Sequence, residues 1–203
     1  MPERLVEGLR RFQNDVFPGF RSHYRRLVSE GQRPRTLFLG CADSRVVPHL
    51  LTDSAPGELF VLRNVGNLVP PYEPDFGYHG TSAGIEFATL LLGVRDIVVC
   101  GHSDCGAIRA LYRPPQQATP HINRWLELAR EARLEDDAPG PDTYRRTEQR
   151  SVVVQLQRLL GYPMVRQRVE DGSLCLHGWY YVIEDGEVLA LDVATGRFAS
   201  LSG

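Results

Sequence analysis

The chain has 203 residues, of which 42% are hydrophobic and 24% charged, and this size and composition predict one soluble globular domain spanning residues 1–203. The formal net charge of −2 argues against a nucleic-acid partner, because surfaces that bind nucleic acids are usually basic. All 23 basic residues are arginine, which excludes Schiff-base and P-loop chemistry, since both require lysine.

The N-terminal segment, residues 1–30, predicts a helical arm made of two amphipathic helices. Its apolar residues recur at helical spacing, and Pro18 and Gly19 interrupt the pattern. We expect the arm to pack over the core or to reach a second subunit. The first residues lack a signal-peptide core, and no run approaches the roughly 18 apolar residues of a membrane-spanning helix. We therefore expect a cytoplasmic protein without membrane insertion, and association with a microcompartment stays open.

Strands and helices alternate through the middle of the chain. Three short apolar runs predict strands: RTLFLG, which ends at Cys41, GELFVLRNVGN, which begins near Glu58, and DIVVCGH, which ends at His102. Two helices are predicted: a buried one of about four turns in GTSAGIEFATLLLGV, and one that opens with GAIRALY after Cys105. This alternation is typical of an α/β domain with a mainly parallel sheet.

The last third of the chain begins with a polar region. We interpret residues 114–150 as variable loops around one helix, INRWLELAREARL. Helical periodicity resumes in SVVVQLQRLLGYPMVRQRVEDGS, and LCLHGWYYVIEDGEVLALD then alternates apolar and polar residues around the turn EDGE. The alternation predicts a C-terminal strand or hairpin that extends the sheet.

Two of the predicted strands end in side chains that bind metals. Cys41 ends the first, His102 ends the third, and Cys105 follows three residues later, at the sheet edge where α/β proteins place their sites. Two thiolates and one imidazole suit Zn²⁺ and leave one tetrahedral position open, as in catalytic zinc sites. Cys100 and Cys175 are possible fourth ligands, but each lies inside an apolar run and we interpret both as core residues. Packing alone is the alternative for all of these cysteines.

Asp43 and Arg45 decide what kind of zinc site this is. Asp43 lies two residues after Cys41, within reach of the metal or of a water bound to it, and Arg45 can hold its carboxylate through a bidentate pair. An ion pair that only stabilises the loop is the alternative. Zinc lowers the pKa of a bound water from about 15.7 to about 7, and the hydroxide so formed would attack a small electrophilic carbon.

Several motifs together resemble the β-class carbonic anhydrases. They are CADSR, PGELFVLRNVGNLV, GTSAGIEFA and GHSDCGA, with a weaker match in VVVQLQRLLGYPMV and LHGWYY. The resemblance implies a central four-stranded, mostly parallel sheet flanked by helices, and a homodimer as the minimum unit, with a tetramer or larger assembly possible. It also implies reversible hydration of carbon dioxide to bicarbonate and a proton by zinc-bound hydroxide.

The resemblance assigns roles residue by residue. Those that match the zinc ligands are Cys41, His102 and Cys105, and those that match the catalytic dyad are Asp43 and Arg45. In some members the aspartate binds zinc as a fourth ligand and closes the site. A bacterial subgroup with an inhibitory bicarbonate site carries Trp where this chain has Phe38. We therefore expect the open, non-allosteric form of the plant-like subgroup.

The substrate-binding residues are also assigned by resemblance. Gln32 matches the glutamine of the plant-like subgroup that hydrogen-bonds bicarbonate. Three further residues match positions that line the apolar carbon dioxide pocket in that subgroup: Phe60, Val65 and Gly106. Phe87 stands where that subgroup has Tyr, which removes a hydroxyl that could steer substrate or relay a proton.

Two alternative functions and one assignment stay open. Relatives of the family hydrolyse carbonyl sulfide or carbon disulfide on the same zinc scaffold. A non-catalytic zinc or redox protein, in which Cys41 and Cys105 form a disulfide without metal, belongs to a different class. No spacing selects the group that exports the proton, although five histidines have a suitable pKa range: His23, His49, His79, His121 and His177.

Overall fold

A computed structural model describes residues 2–75, 77–135 and 137–201. The chain divides into two compact units, Met1–Arg33 and Pro34–Gly203. Among the described residues, no helix combines the length and the apolar character needed to cross a membrane.

The first unit is the predicted helical arm. Helix α1 spans Glu3–Arg11, a π-helical segment spans Phe12–Val16, and helix α2 spans Phe17–Glu30. The predicted interruption at Pro18 is therefore a widened turn just before the proline, and the helical backbone continues through it. Proline lacks an N–H and its ring crowds the preceding turn, and a π-helical turn relieves both problems. Gly31, with φ of 79°, lies at the end of α2 in a conformation that glycine adopts readily.

The second unit is built on one sheet of six strands in the order β2-β1-β3-β4-β5-β6. The strands are β1 Thr36–Cys41, β2 Leu59–Asn64, β3 Asp96–His102, β4 Cys175–Val182, β5 Glu187–Asp192 and β6 Arg197–Ser200. The first four are parallel, and β5 and β6 are antiparallel extensions. The predicted four-stranded parallel sheet and its C-terminal hairpin are confirmed. Strand β6 was not predicted, because its four residues are mostly exposed and carry no apolar pattern.

Six helices accompany the sheet in the described part of this unit. They are α3 Pro48–Leu51, α4 Gly80–Glu86, α5 Gly106–Ala110, α6 Pro120–Leu126, α7 Pro141–Leu159 and α8 Pro163–Glu170. A π-helical segment, Phe87–Leu91, extends α4, and a 3₁₀ segment, Glu127–Ala132, extends α6.

Two sequence predictions about these helices need correction. Helix α7 begins at Pro141, inside the region interpreted as variable loops. The sequence pattern did not predict this start, because several residues on the buried side of the helix are polar and hide the apolar periodicity. They are Thr143, Thr147, Glu148, Ser151 and Gln155. The helix predicted as buried in GTSAGIEFATLLLGV is buried on one side only. Leu90 and Leu91, in its π-helical extension, are 60% and 72% exposed, whereas Ala88 and Thr89 are buried.

Two glycines allow α7 to pack closely on the sheet. A Cβ at Gly101 in β3 would lie 2.6 Å from Val152 Cγ2, and a Cβ at Gly178 in β4 would lie 2.9 Å from Leu156 Cδ1. Both distances are shorter than carbon atoms tolerate, so a larger residue would push the helix away. The close approach brings the middle of α7 to the end of β3 that carries His102.

Candidate metal centre and active site

The structure brings Cys41, His102 and Cys105 together. Strands β1 and β3 are parallel neighbours, so their last residues, Cys41 and His102, lie at the same edge of the sheet. Cys105 follows three residues after His102 and immediately precedes α5. The three ligand atoms all lie within 4.8 Å of one another, and all three residues are buried. The arrangement is a potential metal site with two sulfur donors and one nitrogen donor.

The His102 ring is oriented as a metal ligand. Its Nδ1 lies 2.9 Å from the carbonyl oxygen of Ser103, and because a carbonyl only accepts, Nδ1 carries the proton. Nε2 therefore has a free lone pair. This atom is buried, since His102 is only 1% exposed, and it has no hydrogen-bond partner among the described residues. A buried acceptor without a partner is costly, and a metal ion would satisfy it.

The surroundings of Cys41 favour its thiolate, which is the form that binds metals. A hydrogen bond from the Cys105 thiol, together with the Asp43 and Gly66 backbone N–H groups, lowers the pKa of Cys41 against the opposing effect of burial. These two N–H groups lie 3.4 and 3.3 Å from the Cys41 sulfur. Burial raises the pKa of Cys100 to about 12, so that thiol stays protonated.

The two remaining cysteines are not part of this cluster. Cys100 is fully buried in the core, as predicted. The prediction that Cys175 is a core residue is wrong, because Cys175 is exposed as the first residue of β4. It lies beside Asp96, the first residue of β3, and so at the opposite end of that strand from His102.

Asp43 and Arg45 form the bidentate pair that the sequence predicted. Arg45 Nε donates to Asp43 Oδ1 at 2.9 Å and Nη2 donates to Oδ2 at 2.8 Å. These hydrogen bonds hold the pKa of Asp43 well below its usual range, so the carboxylate stays ionised. Arg45 also donates to the side chain and to the carbonyl of Asp104, each at 3.0 Å. The arginine thus links the Asp43 loop to the turn between His102 and Cys105.

Other residues that support the site were not predicted. Arg63 in β2 donates to the carbonyl oxygens of Cys41 at 2.9 Å and of Asp43 at 2.7 Å. An arginine directly after the apolar run LFVL was the available signal. Glu148 in α7 accepts hydrogen bonds from the Cys105 N–H at 2.9 Å and from the Tyr180 hydroxyl at 2.7 Å. Its burial raises the pKa of this carboxyl group.

The residues assigned to substrate binding lie in several places. Phe60 in β2 and Phe87 after α4 stack with their ring centroids 5.6 Å apart. Gly106 is the first residue of α5, directly after Cys105. Val65 is partly exposed, and its carbonyl accepts a hydrogen bond from Trp125 Nε1 at 2.7 Å. Gln32 belongs to the other compact unit, Met1–Arg33.

Comparison with known proteins identifies the family. A family model described as carbonic anhydrase matches residues 36–188. The solved structure of the β-carbonic anhydrase CcaA superposes with a TM-score of 0.91 at 39% sequence identity, covering 99% of this chain and 92% of that one. The chain belongs to the β-carbonic anhydrase family.

Two further relatives support the assignment to the β-carbonic anhydrases. A carbonic anhydrase of Pseudomonas aeruginosa is 44% identical over 98% of this chain and 91% of its own length. A chain from the crystal structures of two tetrameric β-carbonic anhydrases of Sordaria macrospora matches with a TM-score of 0.78 at 26% identity, covering 98% of this chain and all of that one. The prediction of a carbonic anhydrase enzyme is confirmed, whereas membership of the plant-like subgroup stays a prediction.

Proposed function

We propose that this chain catalyses the reversible hydration of carbon dioxide to bicarbonate and a proton, with zinc held by Cys41, His102 and Cys105. The observation that carries the proposal is the set of three buried donors within 4.8 Å of one another, beside a carboxylate held by arginine. Two sulfurs and one imidazole nitrogen are a donor set that zinc prefers. These three residues would hold the ion and would leave it able to bind a water molecule as well.

Asp43 has the central role among the side chains around the metal. Zinc, when bound, supplies a Lewis acid that lowers the pKa of a water molecule to about 7. Asp43 would accept a hydrogen bond from such a water and so orient it toward carbon dioxide. Arg45 engages both Asp43 carboxylate oxygens and holds the group in place. We assign this arrangement to the open form, in which Asp43 is not a metal ligand; in a closed form Asp43 would leave Arg45 for the metal.

Carbon dioxide is apolar and needs an apolar surface next to the metal. We propose that Phe60, Phe87 and Val65 supply this surface and that the absence of a side chain at Gly106 leaves room for the substrate. Gln32 would donate a hydrogen bond to a bicarbonate oxygen. The stacked rings of Phe60 and Phe87 support their assignment to the apolar surface for carbon dioxide. The phenylalanine ring at position 87 cannot relay a proton, so that step falls to another group.

The arm and the α4 extension expose apolar side chains that a second copy would cover. Leu5 and Leu9 in α1 are 65% and 59% exposed. We propose a homo-oligomer with a dimer as its minimum unit, and the tetrameric relatives from Sordaria macrospora support it. The cytoplasmic location and the absence of nucleic-acid partners are further predictions that rest on the sequence.

We expect sedimentation velocity at micromolar concentration to show a dimer or a larger species and no monomer. Leu9→Glu should shift the distribution toward smaller species, because it places a charge on the apolar face of α1. Val193→Glu is the control, since Val193 is also an exposed apolar residue but lies in the turn between β5 and β6. A wild-type enzyme that is monomeric and fully active would contradict the proposal.

The function itself is tested by assaying the zinc-loaded protein with carbon dioxide, carbonyl sulfide and carbon disulfide. We expect rapid hydration of carbon dioxide by stopped flow and little turnover of carbonyl sulfide. The comparisons give no support to carbonyl sulfide or carbon disulfide hydrolysis, and turnover of either without hydration of carbon dioxide would overturn the proposal. A protein that turns over none of these substrates and isolates with a Cys41–Cys105 disulfide would instead favour the redox alternative.

A further inference from the structure

We propose that Glu148 is a positioning residue for the metal centre: through the backbone amide of Cys105, it holds the turn between His102 and Cys105 in the conformation that brings both ligands to one ion. The inference rests on the proposed function, because it requires a metal at Cys41, His102 and Cys105. It concerns a side chain on a distant helix that is not itself a ligand.

The contacts of Glu148 are few and specific. The side chain is only 3% exposed, and its two oxygens have one donor each. Oε1 accepts from the Cys105 N–H at 2.9 Å, and Oε2 accepts from the Tyr180 hydroxyl at 2.7 Å. The Tyr180 ring is itself fully buried in β4. Glu148 therefore links the Cys105 backbone to the strand β4 and to the helix α7 at once.

The turn that Glu148 contacts needs support. Asp104, between the two ligands, has a φ of 62°, a left-handed conformation that a residue with a side chain adopts at a cost. Two other groups hold the start and middle of the turn: the Ser103 N–H donates to the Tyr181 carbonyl at 2.9 Å, and Arg45 donates to the Asp104 carbonyl at 3.0 Å. Glu148 holds the end of the turn by accepting the hydrogen bond from the Cys105 N–H. Without Glu148 the buried Cys105 N–H would lose its acceptor, and other backbone conformations of the turn would become competitive.

Gln155, a neutral residue on the same helix, makes a similar hydrogen bond to a backbone amide away from the metal ligands. Gln155 is fully buried in α7, and its Oε1 accepts from the Val69 N–H at 2.8 Å. Both residues thus fix a loop amide to the buried side of α7. The Val69 segment carries none of the proposed metal ligands, whereas Cys105 is one. Gln155 is therefore a matched control for the effect on the metal.

The test measures zinc binding by competition with a chromogenic chelator, using the full-length enzyme and three variants. Glu148→Met keeps the side-chain length and removes the acceptor, and we expect zinc affinity to fall by about 10- to 100-fold, the range seen for groups that orient metal ligands. Glu148→Gln keeps an acceptor oxygen for the Cys105 N–H and should bind zinc within about threefold of wild type. Gln155→Ala should melt at a lower temperature with unchanged zinc affinity.

The proposal is overturned if Glu148→Met binds zinc as tightly as wild type, or if Glu148→Gln loses as much affinity as Glu148→Met. An equal loss of affinity in Gln155→Ala would also overturn it, because the effect would then be one of general stability. If Glu148→Met does not fold, Glu148→Leu also removes the acceptor of the Cys105 N–H, and we expect the same loss of about 10- to 100-fold in zinc affinity. Wild-type zinc affinity in Glu148→Leu would overturn the proposal in that case.

Failure of the proposed function gives a different result. A wild-type protein that binds zinc at these three residues but does not hydrate carbon dioxide would refute the hydration proposal. The zinc affinities of the Glu148 variants could still be compared in that case. If the wild-type enzyme hydrates carbon dioxide but Glu148→Met binds zinc as tightly as the wild type, only the positioning role of Glu148 is refuted.

Discussion

Asp43→Ala is expected to lower kcat/KM for carbon dioxide hydration by about 100-fold or more, the scale of effect for a residue that positions or accepts a proton in the transition state. Zinc content should stay at the wild-type level, because the three ligands are untouched. The loss arises because the attacking oxygen is no longer oriented, and Arg45 loses the carboxylate that it binds at 2.8 and 2.9 Å. Stopped-flow hydration and zinc analysis on the same samples provide the measurement.

Asp96→Asn is the control for this experiment. Asp96 is another carboxylate that contacts an arginine, Arg35 at 3.4 Å, and it also pairs with His177 at 2.9 Å. It begins β3, so it lies at the opposite end of that strand from His102. We expect this variant to keep its activity. Full activity in Asp43→Ala would show that the Asp43–Arg45 pair only stabilises its loop.

The second large effect is expected from Cys105→Ala. Removing one of three protein ligands should weaken zinc binding by more than the 10- to 100-fold typical of groups outside the ligand set, so we expect a loss of more than about 100-fold. Hydration should fall close to the uncatalysed rate at limiting zinc. Chelator competition and stopped-flow kinetics measure the two effects.

Cys175→Ala is the matched control, since Cys175 is exposed and lies outside the ligand cluster. It should bind zinc and hydrate carbon dioxide like the wild type. Zinc binding that is unaffected in Cys105→Ala would place the metal elsewhere and remove the basis of the proposed function.

Local patterns predicted the fold well, and they predicted that Cys41, His102 and Cys105 lie together; the role of these residues as metal ligands stays a prediction. Strands β1 and β3 end at Cys41 and His102, as predicted, because short apolar runs mark buried parallel strands clearly. Parallel pairing then places their last residues together, which follows from sheet geometry alone. The Asp43–Arg45 pair was predictable for a similar reason, since the two residues are close in sequence and chemically complementary.

The features that sequence reasoning missed depend on tertiary packing. Glu148 lies in a polar stretch that resembles a solvated helix surface, and it is buried because Gly101 lets α7 approach β3 closely. Cys175 lies in an alternating run, but its place at the start of β4 leaves it exposed. The site assignments of Gln32, Phe60, Val65, Phe87 and Gly106 stay predictions, because they concern a bound substrate and, for Gln32, a separate unit of the chain.

The most direct test of the central claim is a titration of zinc into metal-free protein with hydration of carbon dioxide followed by stopped flow. We predict that activity rises linearly with added zinc and stops rising at one zinc per chain, and that Cys105→Ala shows no such rise over the same range. Hydration by the metal-free protein at the full rate, or one tightly bound zinc per chain without hydration, would contradict the account.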